Sequence, residues 1–108
     1  MGDFVMLNTS KKILTLESIR KKRNEIKQIT SQHGAHHIRV FGSIANHTSN
    51  ANSDVDFLID LDKGRSLIDL GGLKMDLQKL LGCKVDLVTE NGLHWYLKEK
   101  ILQEAKPI

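Results

Sequence analysis

Leu16, Ile19, Ile26 and Ile29 are separated by three, seven and three residues, the spacing of a helix that buries one face. Thr15 stands where an N-cap is expected and Gly34 where the chain has to stop, so a single helix is predicted from Thr15 to Gly34. The period then changes. Residues 38–41, Ile-Arg-Val-Phe, read as a short strand. Residues 54–60, Asp-Val-Asp-Phe-Leu-Ile-Asp, alternate acids with apolar side chains as a strand does. Ser66 and Asp69 have the spacing of a capping box ahead of Leu70, Leu73, Leu77, Leu80 and Leu81, and Gly82 ends that helix. Residues 83–88 are again apolar and β-rich, and residues 92–105 read as a last helix closed off by Pro107, with Trp95 packed over the sheet edge. Residues 1–13 have no period and are expected to be a tail, leaving residues 14–108 as the folded domain. The order of elements predicts an α/β (α+β) domain with a small mixed sheet and helices packed mainly on one face.

The polar residues that interrupt this pattern carry the chemistry. A two-residue period puts Asp54 and Asp56 on one face of their strand and Val55, Phe57 and Ile59 on the other. Two neighbouring carboxylates repel, and both ionise most readily around a cation. Oxygen ligands without Cys or His favour Mg²⁺ or Mn²⁺ over zinc. Alone, an Asp-x-Asp strand is as readily a solvated one. Gly42-Ser43, directly after the first strand and ten residues before Asp54, adds a turn in which backbone N–H groups and a hydroxyl approach a phosphate, which a residue larger than Gly would obstruct. The polar stretch after it is expected to make a helical turn. Asp86, in the middle of the next β-rich run, faces the same site if that strand pairs beside the Asp54 strand.

Gly42-Ser43, Asp54-x-Asp56 and the later Asp86 together resemble the signature of the polymerase-β-type nucleotidyltransferase superfamily. The short chain is similar to its minimal members, the MntA-type antitoxins encoded with HEPN-domain toxins, over about residues 15–106. The resemblance implies a nucleotidyltransferase-like fold, Asp54, Asp56 and Asp86 as catalytic and metal-binding residues, and Gly42 and Ser43 as phosphate-binding residues. It implies Mg²⁺ or Mn²⁺ as cofactor, ATP as substrate and the tyrosine hydroxyl of a HEPN toxin as acceptor of AMP, in a hetero-complex. The family carries Ala-Arg-Gly after its Gly-Ser, whereas this chain has Ala45-Asn46-His47. Loss of that Arg leaves a second reading open, an antitoxin that neutralises its partner by binding alone.

Composition narrows the picture further. The 108 residues, 40% of them hydrophobic, support one core and no second domain. A net charge of +3 and the basic run Arg20-Lys21-Lys22-Arg23 invite a nucleic-acid reading. Glu17 and Glu25 share that helix and no aromatic residue is interleaved, so it reads as a solvated helix face rather than a nucleic-acid surface. The five histidines have no cysteine partners at zinc spacing. The single cysteine, Cys83, excludes an internal disulfide and suits a reducing compartment, the cytoplasm. No apolar run approaches the roughly 20 residues of a membrane helix.

Overall fold

The computed structural model describes residues 13–50 and 54–108. The expected tail, residues 1–13, lies outside the described residues except for Ile13. The elements run α1 (Leu16–Lys21), α2 (Arg23–Gln32), β1 (Ala35–Phe41), β2 (Val55–Leu61), α3 (Leu67–Leu81), β3 (Val85–Thr89), a 3₁₀ turn (Glu90–Gly92), α4 (Trp95–Glu104) and β4 (Lys106–Pro107).

Thr15 caps α1 as predicted, its hydroxyl accepting from the Ser18 N–H at 3.1 Å. The single helix expected to follow instead divides at Lys22, whose backbone (φ −103°, ψ 14°) leaves the helical range. The Lys22 N–H bonds the Ile19 carbonyl at 3.0 Å and the Ile26 N–H the Lys22 carbonyl at 2.9 Å, so the two helices meet at this residue. Different anchors hold the two sides: the Arg20 guanidinium donates to the Pro107 carbonyl at 2.8 Å, and Lys22 Nζ to the Leu80 carbonyl at 3.3 Å. Through the bend, Leu16, Ile19 and Ile26 all stay buried.

The sheet order is β3-β2-β1-β4, with β1 antiparallel to β2 and β4 and with β3 parallel to β2. Parallel pairing requires a crossover, and α3 supplies it. Ser66 and Asp69 close the predicted capping box: Ser66 Oγ accepts from the Ile68 N–H at 3.2 Å, and Asp69 Oδ2 from the Ser66 N–H at 2.9 Å. Gly82 ends the helix in the left-handed region at φ +70°, open to glycine without steric cost. Leu73 and Leu77 of α3 are fully buried with Ile19, Ile26, Val40, Val55, Phe57, Ile59 and Val85. These strand residues define the core face. The alternate positions, Arg39, Phe41, Asp56, Leu58, Asp60, Asp86 and Val88, define the opposite face.

The C-terminal region departs from expectation. Trp95 is 85% exposed, not packed over the sheet edge, and Tyr96 beside it is 61% exposed. The two rings stack edge-to-face on each other, centroids 5.8 Å apart. Their helix runs from the end of β3 to the far edge of the sheet and buries no residue completely. Pro107 does not close the helix, which ends at Glu104; it lies in β4 opposite Arg39, at a sheet edge where a missing N–H is tolerated.

The cap of α3 is open to direct test. Ser66→Ala removes the acceptor for the helix's first N–H groups and should lower unfolding free energy by about 1 kcal/mol. Urea denaturation at neutral pH should show an earlier midpoint with an unchanged slope.

Candidate nucleotide and metal site

Register brings the predicted residues together at one end of the sheet. Phe41, the last residue of β1, pairs with Asp56, and Asp56 pairs with Asp86 across the parallel β2/β3 ladder. The two acids therefore lie in one row on the sheet face away from the helical core, as the period of two predicts. Asp54 precedes β2, whose entry is fixed by the Val55 N–H bonding the Lys84 carbonyl at 3.0 Å.

Gly42 follows Phe41 at φ +75°. A Cβ at this position would collide with Oδ2 of Asp56, so backbone conformation and space both demand glycine. The chain then makes the helical turn expected of it: the Asn46 N–H reaches the Gly42 carbonyl at 3.0 Å and the Thr48 N–H the Ser43 carbonyl at 2.9 Å. With those carbonyls used internally, the turn does not need its leading N–H groups for its own hydrogen bonds, a polarity that suits an anion. Buried Ile44 and Ala45 root the turn in the core, and Lys106 Nζ donates to the Ala45 carbonyl at 2.9 Å. Asn46 and His47 are exposed, His47 at φ +60°.

Electrostatics single out Asp56. Burial, followed by the charges of Asp86 and Asp54, pushes its carboxyl up to about 6. The same surroundings raise the Cys83 thiol, through its burial and then the charge of Asp54. The site is thus an acidic, partly dry edge. Its donors are carboxylate oxygens, a set that matches a hard divalent cation. The carboxylates are not drawn into one closed cluster: among the described residues, no group of three or more His, Cys, Asp or Glu is set to hold a metal ion. Asp86 Oδ1 instead stands 4.0 Å from Nζ of Lys74, which reaches it from α3.

Sequence reasoning named Asp54, Asp56, Asp86, Gly42 and Ser43 but neither Lys74 nor Lys106. Lys74 is one charged residue on the flank of a leucine stripe and Lys106 follows the last helix, so their proximity to the site depends wholly on packing. Two cavities lie elsewhere. One of about 380 Å³ is lined by Lys27, Ala35, His36 and Ile108 among others; one of about 290 Å³ lies beside Asp60 and Glu90.

The raised Asp56 carboxyl has a stability consequence of definite sign. The folded state holds the Asp56 proton up to about pH 6, whereas an unfolded Asp releases it near 3.9. Its destabilisation is therefore absent below about pH 4, grows as pH rises, and is complete above about 6. Because the group is partly exposed, water screens the effect to the order of 1 kcal/mol. In divalent-free buffer, the unfolding free energy of Asp56→Asn minus that of the wild type should increase by about that amount between pH 4 and 6.5. A difference that stays flat with pH would mean that Asp56 ionises normally.

Known proteins share this fold. The family model described as "Nucleotidyltransferase domain" matches residues 16–108. A Thermococcus cleftensis protein named protein adenylyltransferase MntA is 34% identical over 94 residues, covering 86% of this chain and 95% of its own length. A solved structure provisionally described as a minimal nucleotidyltransferase superposes with a TM-score of 0.79 at 41% identity, covering 88% of this chain and 97% of the other. A toxin–antitoxin crystal structure with AMP-PNP shares the fold, with a TM-score of 0.68 at 24% identity over 78% of this chain and 69% of the other. The match over nearly all of the described domain, on a sheet that sets the Gly42-Ser43 turn beside Asp56 and Asp86, means that this chain belongs to the nucleotidyltransferase domain family.

Proposed function

We propose that the chain is a divalent-metal-dependent adenylyltransferase that moves AMP from ATP to a hydroxyl, a tyrosine, of a partner HEPN-type toxin and so acts as its antitoxin. The observation that carries the reading is the pairing of Asp56 with Asp86 in one row, with Gly42 pressed against the Asp56 carboxylate. Phosphate-binding turn and acidic row thereby share one small volume. The relative named protein adenylyltransferase MntA supports adenylyl transfer, and the toxin–antitoxin structure of the same fold supports the kind of partner. Among the described residues no helix is long and apolar enough to cross a membrane. The single cysteine is consistent with a cytoplasmic setting.

In this reading, Asp54, Asp56 and Asp86 would hold Mg²⁺ or Mn²⁺, which when bound neutralises charge on the triphosphate and the leaving pyrophosphate. The leading N–H groups of the turn and the Ser43 hydroxyl orient the β- and γ-phosphates. The acceptor oxygen attacks the α-phosphorus of ATP, forming a new P–O bond as the bond to the α,β-bridging oxygen breaks. Pyrophosphate departs, and the hydroxyl proton passes to a carboxylate of the row. Asp86 either takes that proton or serves as a metal ligand. The products are a phosphodiester on the acceptor and pyrophosphate.

A second reading, an antitoxin that neutralises by covering its partner, is favoured by one specific observation. Asn46 occupies the exposed position where the family's Arg would meet phosphate, and it cannot make the charge-assisted bonds of a guanidinium. Turnover separates the two. With ATP and Mg²⁺, trace enzyme should modify a large molar excess of toxin, whose mass should rise by one or more AMP units; stoichiometric inhibition without a mass change would establish the binding antitoxin instead.

Asp54→Asn and Asp56→Asn, each removing a ligand charge at nearly constant shape, should reduce incorporation of labelled AMP by at least two to three orders of magnitude. Thermal melting should show both variants folded. Undiminished incorporation in both would overturn the assignment of the acidic row.

A further inference from the structure

The charges around the acidic row are distributed unevenly. The other carboxylates at the ends of β2 and on α3 have partners: Asp60 meets Arg39 and His37, Asp62 meets His36, Asp69 meets Arg65 and Asp76 meets His33. At the row itself, Lys74 is the one Lys, Arg or His among the described residues within 4.0 Å of an Asp54, Asp56 or Asp86 oxygen.

The Lys74–Asp86 contact is too loose to serve stability. At 4.0 Å it is beyond hydrogen-bond length, and both side chains are more than two-fifths exposed. Such a pair contributes little to folding. The root of the side chain is nevertheless rigid, because the neighbouring Leu73 and also Leu77 are fully buried. A compact ammonium on a four-carbon stem, anchored on a fixed helix beside Asp86, can turn to another anion at small cost. The turn on the opposite side of Asp56 carries Asn46 and an exposed His47 and supplies no permanently charged side chain from those two positions.

We propose that Lys74 is a polyphosphate-binding residue of this site, paired with Asp86 until nucleotide arrives and then turned onto the β- and γ-phosphate oxygens. The proposal rests on the nucleotidyl-transfer reading above. It assigns the cationic phosphate contact to α3, across the sheet edge from the Gly42-Ser43 turn. Lys74 acts by binding and orienting the leaving group, with no proton transfer assigned to it.

The proposal requires that one ligand be weakened and the other not. Lys74→Gln removes a positive charge beside the acids, so Mn²⁺ alone should bind as tightly as in the wild type or several-fold more tightly. Affinity for the non-hydrolysable ATP analogue with Mg²⁺ should fall about tenfold, one charge-assisted bond's worth. Affinity for AMP should be unchanged, and Lys74→Arg should recover most of the loss. Calorimetry on the intact chain measures all of these, and melting of both variants, each with a good helix former at an exposed position, establishes that they are folded. If Lys74→Gln leaves the ratio of analogue to AMP affinities unchanged, Lys74 is only a counter-ion of Asp86 and the proposal fails alone. If the wild type binds neither nucleotide, the nucleotidyl-transfer reading fails and takes the proposal with it.

Discussion

The parallel pairing of β3 with β2 is the constraint on which the site depends. Because side chains alternate across a strand, the register Asp56↔Asp86 is also the register that sends Val55, Phe57 and Val85 into the core. A slip by one residue would turn Asp86 inward and expose Val85, exchanging a buried valine for a buried, unpaired carboxylate. The core thus holds the acids in line without contacting them. The crossover helix α3 maintains that pairing, with its cap at Ser66, its left-handed stop at Gly82 and its buried leucines all determining where β3 begins.

Against this rigid frame the acids repel. Gathering Asp54, Asp56 and Asp86 at a partly dry edge is unfavourable for the isolated chain, and the raised Asp56 carboxyl expresses that cost. Natural folds retain such unfavourable groupings chiefly where function uses them. The turn at Gly42 has the same character. A left-handed backbone directly against a carboxylate is tolerable only to glycine, and it brings an anion-seeking turn next to an anionic row. In the proposed reading a divalent cation on the row and a phosphate on the turn would together reconcile the two.

The remainder of the opposite sheet face is organised differently. Arg39 is buried there beside Leu58, its guanidinium 3.4 Å from Asp60 and 3.8 Å from Glu90, and its Nε donates to the His37 carbonyl at 3.0 Å. His37 itself sits at φ +54° where the β1–β2 register shifts. This network, one guanidinium between two carboxylates, occupies the end of β2 remote from Asp56. Charge is thereby partly compensated at one end of the strand and accumulated at the other, although both ends carry Asp at alternate positions.

Local rules were sufficient for much of this molecule. Caps at Thr15 and Ser66, the stop at Gly82, the strand alternation around Asp56 and the glycine at 42 were legible because each expresses backbone or side-chain chemistry within a few residues. The acidic row was legible as a set of candidates for the same reason, since a period of two assigns faces without knowledge of neighbours. Four features were not. The break at Lys22 coincides with hydrogen bonds from Arg20 and Lys22 to Pro107 and Leu80, far away in sequence. The exposure of Trp95 depends on a helix that bridges the two sheet edges instead of lying on the core, and Pro107 gains a strand role only because β1 offers an edge. The approach of Lys74 to Asp86 is fixed by how α3 seats its leucines. The sequence by itself determined which residues are candidates for phosphate and metal binding and which faces the strand acids take; only the tertiary structure decided what stands beside them, because those distances are set by packing between elements that no local pattern encodes.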